Sequence, residues 1–179
     1  MREAGPADAG SLSAFFAAVW AHGGPDAPGF AGATAGSIAA VRSPAALRSR
    51  MGQPGRRMFV AAVGPAVVGF AATSKIDRDH LELAGIAVLP AHTGHGIGSR
   101  LLELVASSAR QDGFRRLSVR TELTNDTALL FYDSRGFTPV GEQVEVINGS
   151  RIPVVALTRY LEPVPTARAA GSRNCRWLL

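Results

Sequence analysis

The sequence has little of what stabilises secreted or membrane-embedded proteins. It has one cysteine, Cys175, in 179 residues, which excludes an internal disulfide and a cysteine-rich metal site. No run of about 18 apolar residues occurs, so we expect no membrane span and no membrane partner. The first residues also lack the apolar segment of a secretory signal. These absences predict a cytoplasmic protein.

The charge of the chain gives little support to nucleic-acid binding. The formal net charge is +5, and Lys75 is the single lysine among 19 basic residues. Three arginines fall in the last 17 residues, and without them the charge is about +2, which is ordinary for a soluble domain. No basic stripe interleaved with aromatics is present, so we expect no nucleic-acid partner.

The histidines do not predict a metal site. No carboxylate or cysteine stands at ligand spacing from His80, His92 or His95. We therefore expect no metal cofactor.

Hydrophobic periodicity and turn residues predict seven strands and four helices. The predicted strands are 2–7, 58–63, 66–73, 81–89, 117–121, 140–147 and 152–160. The predicted helices start at Asp8 as N-cap and run to about Trp20, lie within 37–51 with Ser43-Pro44 as cap and first-turn residue, follow the glycines at 94–98 to near Gly113, and cover 126–134. Residues 22–36 are predicted to be a loop.

This order of elements predicts the fold class. It is typical of an α+β domain with a mostly antiparallel sheet of six to seven strands, flanked by about four helices. The unit 81–121, a strand, a loop, a helix and a strand, supplies one parallel pair at the centre of the sheet. We assign residues 1–162 to this domain and predict a flexible tail at 163–179.

Three glycines at every second position, Gly94, Gly96 and Gly98, stand between a predicted strand and a predicted helix. Such a loop lets backbone N–H groups approach an anion, and the helix N-terminus adds about half a positive charge. The pattern lacks the lysine of a P-loop, and Ser99 stands where a dinucleotide fingerprint needs its third glycine. A phosphate or pyrophosphate site of another class is therefore predicted.

Two blocks resemble the GCN5-related N-acetyltransferase (GNAT) superfamily. The loop fits the pattern Arg/Gln-x-x-Gly-x-Gly/Ala through Gly96 and Gly98, with Thr93 in place of the usual Arg or Gln. The second block, Asn125 to Phe137, contains the expected Asn, the aromatic pair Phe131-Tyr132 and a Gly-Phe. The resemblance implies a GNAT fold with a splayed parallel pair and acetyl-CoA as co-substrate.

The resemblance also implies where acetyl-CoA binds. Backbone groups of the strand would pair with pantetheine, and a backbone N–H there would polarise the thioester carbonyl. Gly85 suits a bulge that splays this strand from 117–121. Asn125 would orient the cofactor, cap the following helix, or do both. The residues implied in cofactor binding are Ile86, Ala87, Val88, Thr93, Gly94, His95, Gly96, Ile97, Gly98, Ser99 and Asn125.

Two residues are candidates for acid and base catalysis. Tyr132 matches the general acid of the family, and its ordinary pKa near 10 is close to the 8.5 of a thiol, although it could instead pack in the core. Glu82 occupies the spacing of the base in the histone-acetylating branch and shares a strand face with Ala84, Ile86 and Val88 if the strand is regular. Glu122 is the alternative base.

The acceptor is less well specified. Residues 42–57 contain five arginines and no acid, which favours an acceptor that carries a carboxylate or phosphate, or simply a solvated basic face. The leading hypothesis is transfer of acetyl to a primary amine of a small molecule by direct attack in a ternary complex. A protein lysine or N-terminal acetyltransferase and a non-catalytic acyl-CoA-binding protein are the alternatives. A homodimer is possible.

Overall fold

One seven-stranded sheet organises the protein, in the order β1-β2-β3-β4-β5-β7-β6. The computed structural model describes residues 1–23, 40, 42–147 and 149–162. Within these residues β4 and β5 are parallel, and all other neighbouring strands are antiparallel. The strands are β1 Arg2–Glu3, β2 Arg56–Val63, β3 Ala66–Lys75, β4 His80–Val88, β5 Arg116–Glu122, β6 Thr138–Ile147 and β7 Ser150–Tyr160. The predicted mixed fold is confirmed.

Four α-helices accompany the sheet in the described part of the chain. They are α1 Ala9–Gly23, α2 Pro44–Met51, α3 Ile97–Gln111 and α4 Asp126–Asp133. The order of helices and strands is the predicted one. The predicted tail at 163–179 and most of the predicted loop at 22–36 lie outside the described residues, and α1 extends three residues past the predicted end at Trp20.

The first two helices begin differently. Ser43 caps α2 as predicted, since its Oγ accepts a hydrogen bond from the Ala46 N–H at 3.3 Å. The prediction that Asp8 is the N-cap of the first helix is wrong. A 3₁₀ turn, Pro6–Asp8, precedes α1, with Gly5 as its cap. Proline favours the first position of a helical segment, so the helical backbone begins earlier.

Asp8 instead acts from the third position of this segment. Its carboxylate accepts from the Gly5 N–H at 2.8 Å and pairs with Arg2 at 2.6 Å. The Arg2 hydrogen bond lowers the pKa of Asp8 to about 2.

The core has two layers, one on each face of the sheet. On one face, α1 and α2 pack Leu12, Phe15, Phe16 and Leu47 against β2 and β3. On the other face, α3 and α4 pack against all the central strands, with α3 contributing Leu101, Leu102 and Val105. Alternation along β2 shows the division directly: Met58 and Val60 face the first cluster, whereas Phe59 and Ala61 face the second.

Gly69 of β3 sets how closely α3 approaches the sheet. A Cβ atom at this position would lie 2.8 Å from Ile97 Cγ2 and 3.0 Å from Leu101 Cδ1. Both partners lie in the first two turns of α3, so the absence of a side chain at Gly69 allows the N-terminus of α3 to pack directly on the strand.

We predict that Gly69→Ala destabilises the protein by about 1–3 kcal/mol, because the methyl group overpacks the interface between β3 and α3. Gly10→Ala is the matched control: a Cβ there has open space in α1, and alanine has the higher helix propensity. Urea denaturation measures both. An unchanged midpoint for Gly69→Ala would show that α3 shifts at no cost.

Candidate active site

The parallel strands β4 and β5 separate halfway along their length. They pair only from His80 with Arg116 to Leu83 with Val119. In β4, the register against β3 skips Ala84, since Thr73 pairs with Leu83 and Ala72 pairs with Gly85. This one-residue bulge bends β4, and from Ala84 onward its edge towards β5 has no strand partner among the described residues.

A bulge is present in β4 next to Gly85, as predicted, and it determines which side chains share a face. The extra residue is Ala84, one position before the predicted Gly85. It also reverses the alternation of side chains, so Glu82 and Ile86 do not share a face. Ile86 packs against the cluster that contains Leu83, whereas Ala87 packs against the opposite one. A bulge inserts one residue and therefore shifts the twofold repeat by one.

A cavity of about 540 Å³ lies between the separated strands. Consecutive residues of β4, Ala84 to Val88, form one wall, and Val119 to Glu122 of β5 form the other. Asn125 and Tyr132 line it from the α4 side, and Phe16, Arg42 and Phe70 from the α1 side. Residues from both faces of the sheet therefore line the cavity.

The glycine loop stands at the end of β4. A 3₁₀ turn, Pro90–His92, leads into Gly94 and Gly96, which have φ angles of +75° and +73°. Gly96 is the N-cap of α3 and has no side chain to occupy the first N–H groups of the helix. Such a helix start can bind an anion through its free backbone N–H groups and its dipole.

Two side chains of the glycine loop form hydrogen bonds within the loop itself. The Thr93 hydroxyl donates to the Pro90 carbonyl at 2.8 Å, so in this geometry its proton does not point to an external anion. His95 Nδ1 donates to the Thr93 carbonyl at 2.7 Å. Gly98 packs the helix against α4, because a Cβ there would lie 3.3 Å from Phe131 Cε2.

An arginine that the sequence analysis missed stands beside this helix start. Arg135 stacks on Phe131, with its Cζ 3.9 Å from the ring centroid, and donates to the Phe131 carbonyl at 2.7 Å. It also donates to the hydroxyl of Ser99, in the first turn of α3. The guanidinium thus adds a positive charge next to the loop. Its position before Gly136-Phe137 in the second block was the available signal.

Tyr132 is one of the residues that line the cavity. The residue is 5% exposed, and its ring contacts Phe131 and Phe137, with centroids 5.2 and 5.4 Å away. Burial raises the pKa of Tyr132 to about 12. The residue therefore packs in the core and lines the cavity at the same time, and its hydroxyl stays protonated through the neutral range.

Asn125 caps α4. Its Oδ1 accepts from the Ala128 N–H at 3.1 Å, and the residue also lines the cavity. Asn125 thereby stabilises the start of the eight-residue helix that carries Tyr132. Of the two roles expected for Asn125, the hydrogen bond supports the capping of this helix.

Glu82 is held in an ion pair across the sheet. Arg120 donates to Glu82 at 2.8 Å and to Glu145 at 2.6 Å, which joins β4, β5 and β6. Arg120 and Glu145 line the cavity, as does Glu122, but the cavity lining does not include Glu82. Of the two candidate bases, Glu122 therefore lines the cavity and Glu82 does not. The spacing along β4 could not reveal Arg120 and Glu145, because these two residues lie on β5 and β6.

The site fits the donor implied by the sequence. An open strand edge, Ala84 to Val88, leads towards glycines with positive φ and an uncapped helix start, and a buried tyrosine lies in the cavity beside that edge. An extended amide chain can pair with the edge in the manner of an added strand, and the loop can hold a pyrophosphate.

The comparisons agree with this geometry. The acetyltransferase (GNAT) family profile matches residues 34–137, and the chain belongs to this family of acyltransferases, which use acetyl-CoA. The N-alpha-acetyltransferase RimI of Mycobacterium tuberculosis is 40% identical over 101 residues, covering 55% of this chain and 62% of that protein. The chain thus spans less than two thirds of the length of this curated relative.

Solved structures share the fold. A GNAT-family acetyltransferase from Streptococcus pneumoniae superimposes with a TM-score of 0.69 at 23% identity, covering 90% of this chain and 98% of that one. The PaiA N-acetyltransferase from Thermoplasma acidophilum, in complex with coenzyme A, gives a TM-score of 0.67 at 18% identity, covering 89% and 96%.

No group of three or more His, Cys, Asp or Glu side chains in the described residues could hold a metal ion. None of the helices in the same part of the chain is long and apolar enough to cross a membrane.

His80 forms hydrogen bonds with residues of β5 at the end where β4 and β5 remain paired. Arg116 Nη2 donates to His80 Nδ1 at 2.9 Å, and the other ring nitrogen, Nε2, lies 2.7 Å from the Ser118 Oγ. Since arginine only donates, Nδ1 accepts and Nε2 carries the proton, so this arrangement requires the neutral ring. Burial, and then the charge of Arg116, lower the pKa of His80.

We predict that His80 makes the protein less stable in mild acid. As the pH falls through about 6.5, the unfolded chain takes up a proton that the folded chain refuses, so unfolding becomes more favourable until the folded ring is also protonated. Urea denaturation from pH 8 to pH 5 should show this slope in the wild type and a smaller one in His80→Gln. His22→Gln, at an exposed position, is the control. Equal slopes in the wild type and His80→Gln would contradict the prediction.

Proposed function

We propose that this protein is an acetyl-CoA-dependent N-acetyltransferase that transfers acetyl from the CoA thioester to a primary amine. The observation that carries the proposal is the cavity where β4 leaves β5, with an open strand edge and Tyr132 on its walls. Both substrates would bind together, and the amine nitrogen would attack the thioester carbonyl directly.

Donor binding would use the open edge of β4 and the glycine loop. Backbone groups of Ile86, Ala87 and Val88 would hold pantetheine, with one N–H polarising the carbonyl. The pyrophosphate would lie against Thr93 to Ser99. The positive charge that Thr93 does not supply is available from Arg135, whose guanidinium touches the Ser99 hydroxyl. Asn125 would act mainly by capping α4 and so positioning Tyr132.

Tyr132 would donate a proton to the departing thiolate. With its pKa near 12 and that of a thiol near 8.5, full transfer is uphill by about 3.5 pKa units, or roughly 5 kcal/mol. The hydroxyl therefore acts first as a hydrogen-bond donor to the developing negative sulfur. The attacking nitrogen loses one proton as the amide forms, and the departing sulfur gains one, so that the products are the amide and a neutral thiol.

We propose Glu122 ahead of Glu82 as the group that helps to deprotonate the amine. Glu122 lines the cavity, whereas Glu82 is not among the lining residues and is paired with Arg120. An ordinary carboxylate lies about 6 pKa units below an ammonium, roughly 8 kcal/mol, so the base would act while the C–N bond forms rather than before it.

The acceptor that we favour is a small molecule, because the cavity is bounded on both faces of the sheet. A protein N-terminus is the second candidate, supported by the 40% identity to a relative named for N-alpha-acetylation. The homodimer, the cytoplasmic location and the absence of a nucleic-acid partner stay predictions from the sequence.

Replacing Tyr132 by Phe tests the acid. We expect kcat to fall about 10- to 1000-fold, because the hydroxyl would act only when charge develops on sulfur. A free-thiol release assay over amino acids, aminoglycosides, polyamines and peptides measures turnover. Acetyl-CoA titration by calorimetry is the control and should give nearly equal dissociation constants. Turnover at the wild-type rate would remove Tyr132 from the mechanism, and failure of the wild type to bind acetyl-CoA would remove the proposed function.

A pair of glutamine variants tests the base. Glu122→Gln should lower kcat/KM by at least about tenfold at pH 7, and the loss should shrink towards pH 9.5, where free amine no longer needs a base. Glu82→Gln is the matched variant on the neighbouring strand and should change the pH profile less. The opposite ranking would return the base role to Glu82.

A further inference from the structure

Arg42 is a charged residue of the cavity wall that the proposed chemistry does not use. It lies directly before Ser43, the N-cap of α2, and lines the cavity together with Phe16 and Phe70. Its Cζ lies 4.1 Å from the centroid of the Phe16 ring. That ring in turn meets Phe70 edge to face, with centroids 4.9 Å apart. An aromatic platform therefore holds the guanidinium at the cavity.

The guanidinium lacks an ionic partner among the described residues. Its Nε is buried and has no hydrogen-bond acceptor within them, and no carboxylate in the same ranges pairs with the side chain. Burial, and then the nearby charge of Arg50, lower the pKa of Arg42 to about 10, so the group remains charged at neutral pH. A partly buried cation without an anion is unfavourable unless something else compensates it.

Arg120, the other arginine of the wall, shows the contrast. It is paired with Glu82 and Glu145 at 2.8 and 2.6 Å, so two negative charges surround one positive charge. Among the described lining residues, Arg120, Glu122 and Glu145 give the β5 side one net negative charge, whereas Arg42 gives the α1 side one positive charge beside the aromatic rings. An acceptor with a cationic amine and a separate anionic group matches both sides.

We propose that the acceptor is a small α-amino acid-like molecule whose carboxylate pairs with the guanidinium of Arg42, which makes Arg42 the residue that determines acceptor specificity. The inference rests on the proposed function and deepens it. Guanidinium and carboxylate match in a two-point hydrogen-bonded geometry that a neutral carbonyl cannot reproduce. A peptide N-terminus presents its amine next to such a neutral carbonyl and would leave Arg42 uncompensated. Phe16, Phe70 and Val154 offer apolar contact for the acceptor's side chain.

The test compares matched acceptors. We would measure kcat/KM for L-alanine, L-leucine, L-methionine and L-phenylalanine and for the carboxamide of each, with acetyl-CoA saturating. The wild type should prefer at least one acid over its carboxamide by tenfold or more. In Arg42→Gln this ratio should fall to near one. Arg48→Gln, an exposed arginine of α2 outside the cavity, should keep the wild-type ratio, and Arg42→Lys should retain part of it.

Three results would overturn the proposal that Arg42 binds the acceptor's carboxylate. Carboxamides used as well as the acids by the wild type would overturn the proposal and favour a peptide N-terminus. A wild-type ratio in folded Arg42→Gln would also overturn it, as would an equal fall of the ratio in Arg48→Gln. If Arg42→Gln does not fold, the wild-type ratio and Arg42→Lys decide alone.

A binding measurement separates this proposal from the proposed function. In the presence of coenzyme A, calorimetry with the wild type should show at least one acid binding tenfold more tightly than its carboxamide. If no amine is acetylated, the proposed function fails, while this difference still supports the acceptor site. Equal affinities would reject the role of Arg42 whatever the turnover.

Discussion

The site depends on the point at which β4 and β5 stop pairing. Backbone hydrogen bonds join the two strands up to Leu83 and Val119, and the bulge at Ala84 ends the pairing. A parallel pair normally continues until one strand ends, and here both strands continue for several residues with a cavity between them. The strand edge, the approach to the glycine loop and the placement of Tyr132 all follow from this separation.

Side-chain hydrogen bonds also hold β4 and β5 together where the two strands remain paired. Arg116, His80 and Ser118 form a hydrogen-bonded row across β4 and β5. Further along, Arg120 joins Glu82 to Glu145. The strands are therefore fastened by polar contacts up to the place where they diverge, and these contacts define where the cavity begins. Of these residues, Arg120 and Glu145 also line the cavity.

The sequence predicts the elements of this fold better than it predicts the site. Apolar segments and the Gly64-Pro65 turn identify β2 and β3, and the amphipathic pattern that follows the glycines identifies α3, because both signals are local. The extra residue in β4 is Ala84, and not the predicted Gly85, because a bulge depends on pairing with β3. Arg120 was missed for the same reason, because its role comes from partners on β4 and β6. The sequence showed Arg42 only as one of five arginines, since its contact with Phe16 joins two elements. The early start of the first helical segment, at Pro6, was a local signal that the Asp8 prediction overlooked.

The open edge of β4 has a consequence for the stability of the protein. An unpaired strand edge is a place where sheets recruit further strands, and proteins usually cover or interrupt such edges. Here the edge lies inside a cavity, and a ligand that pairs with it would complete the sheet. Such a ligand binds the folded chain alone, so it raises the free energy of unfolding with the logarithm of its concentration. The supply of the acyl donor in a cell would then govern how long the folded protein survives as well as how fast it works.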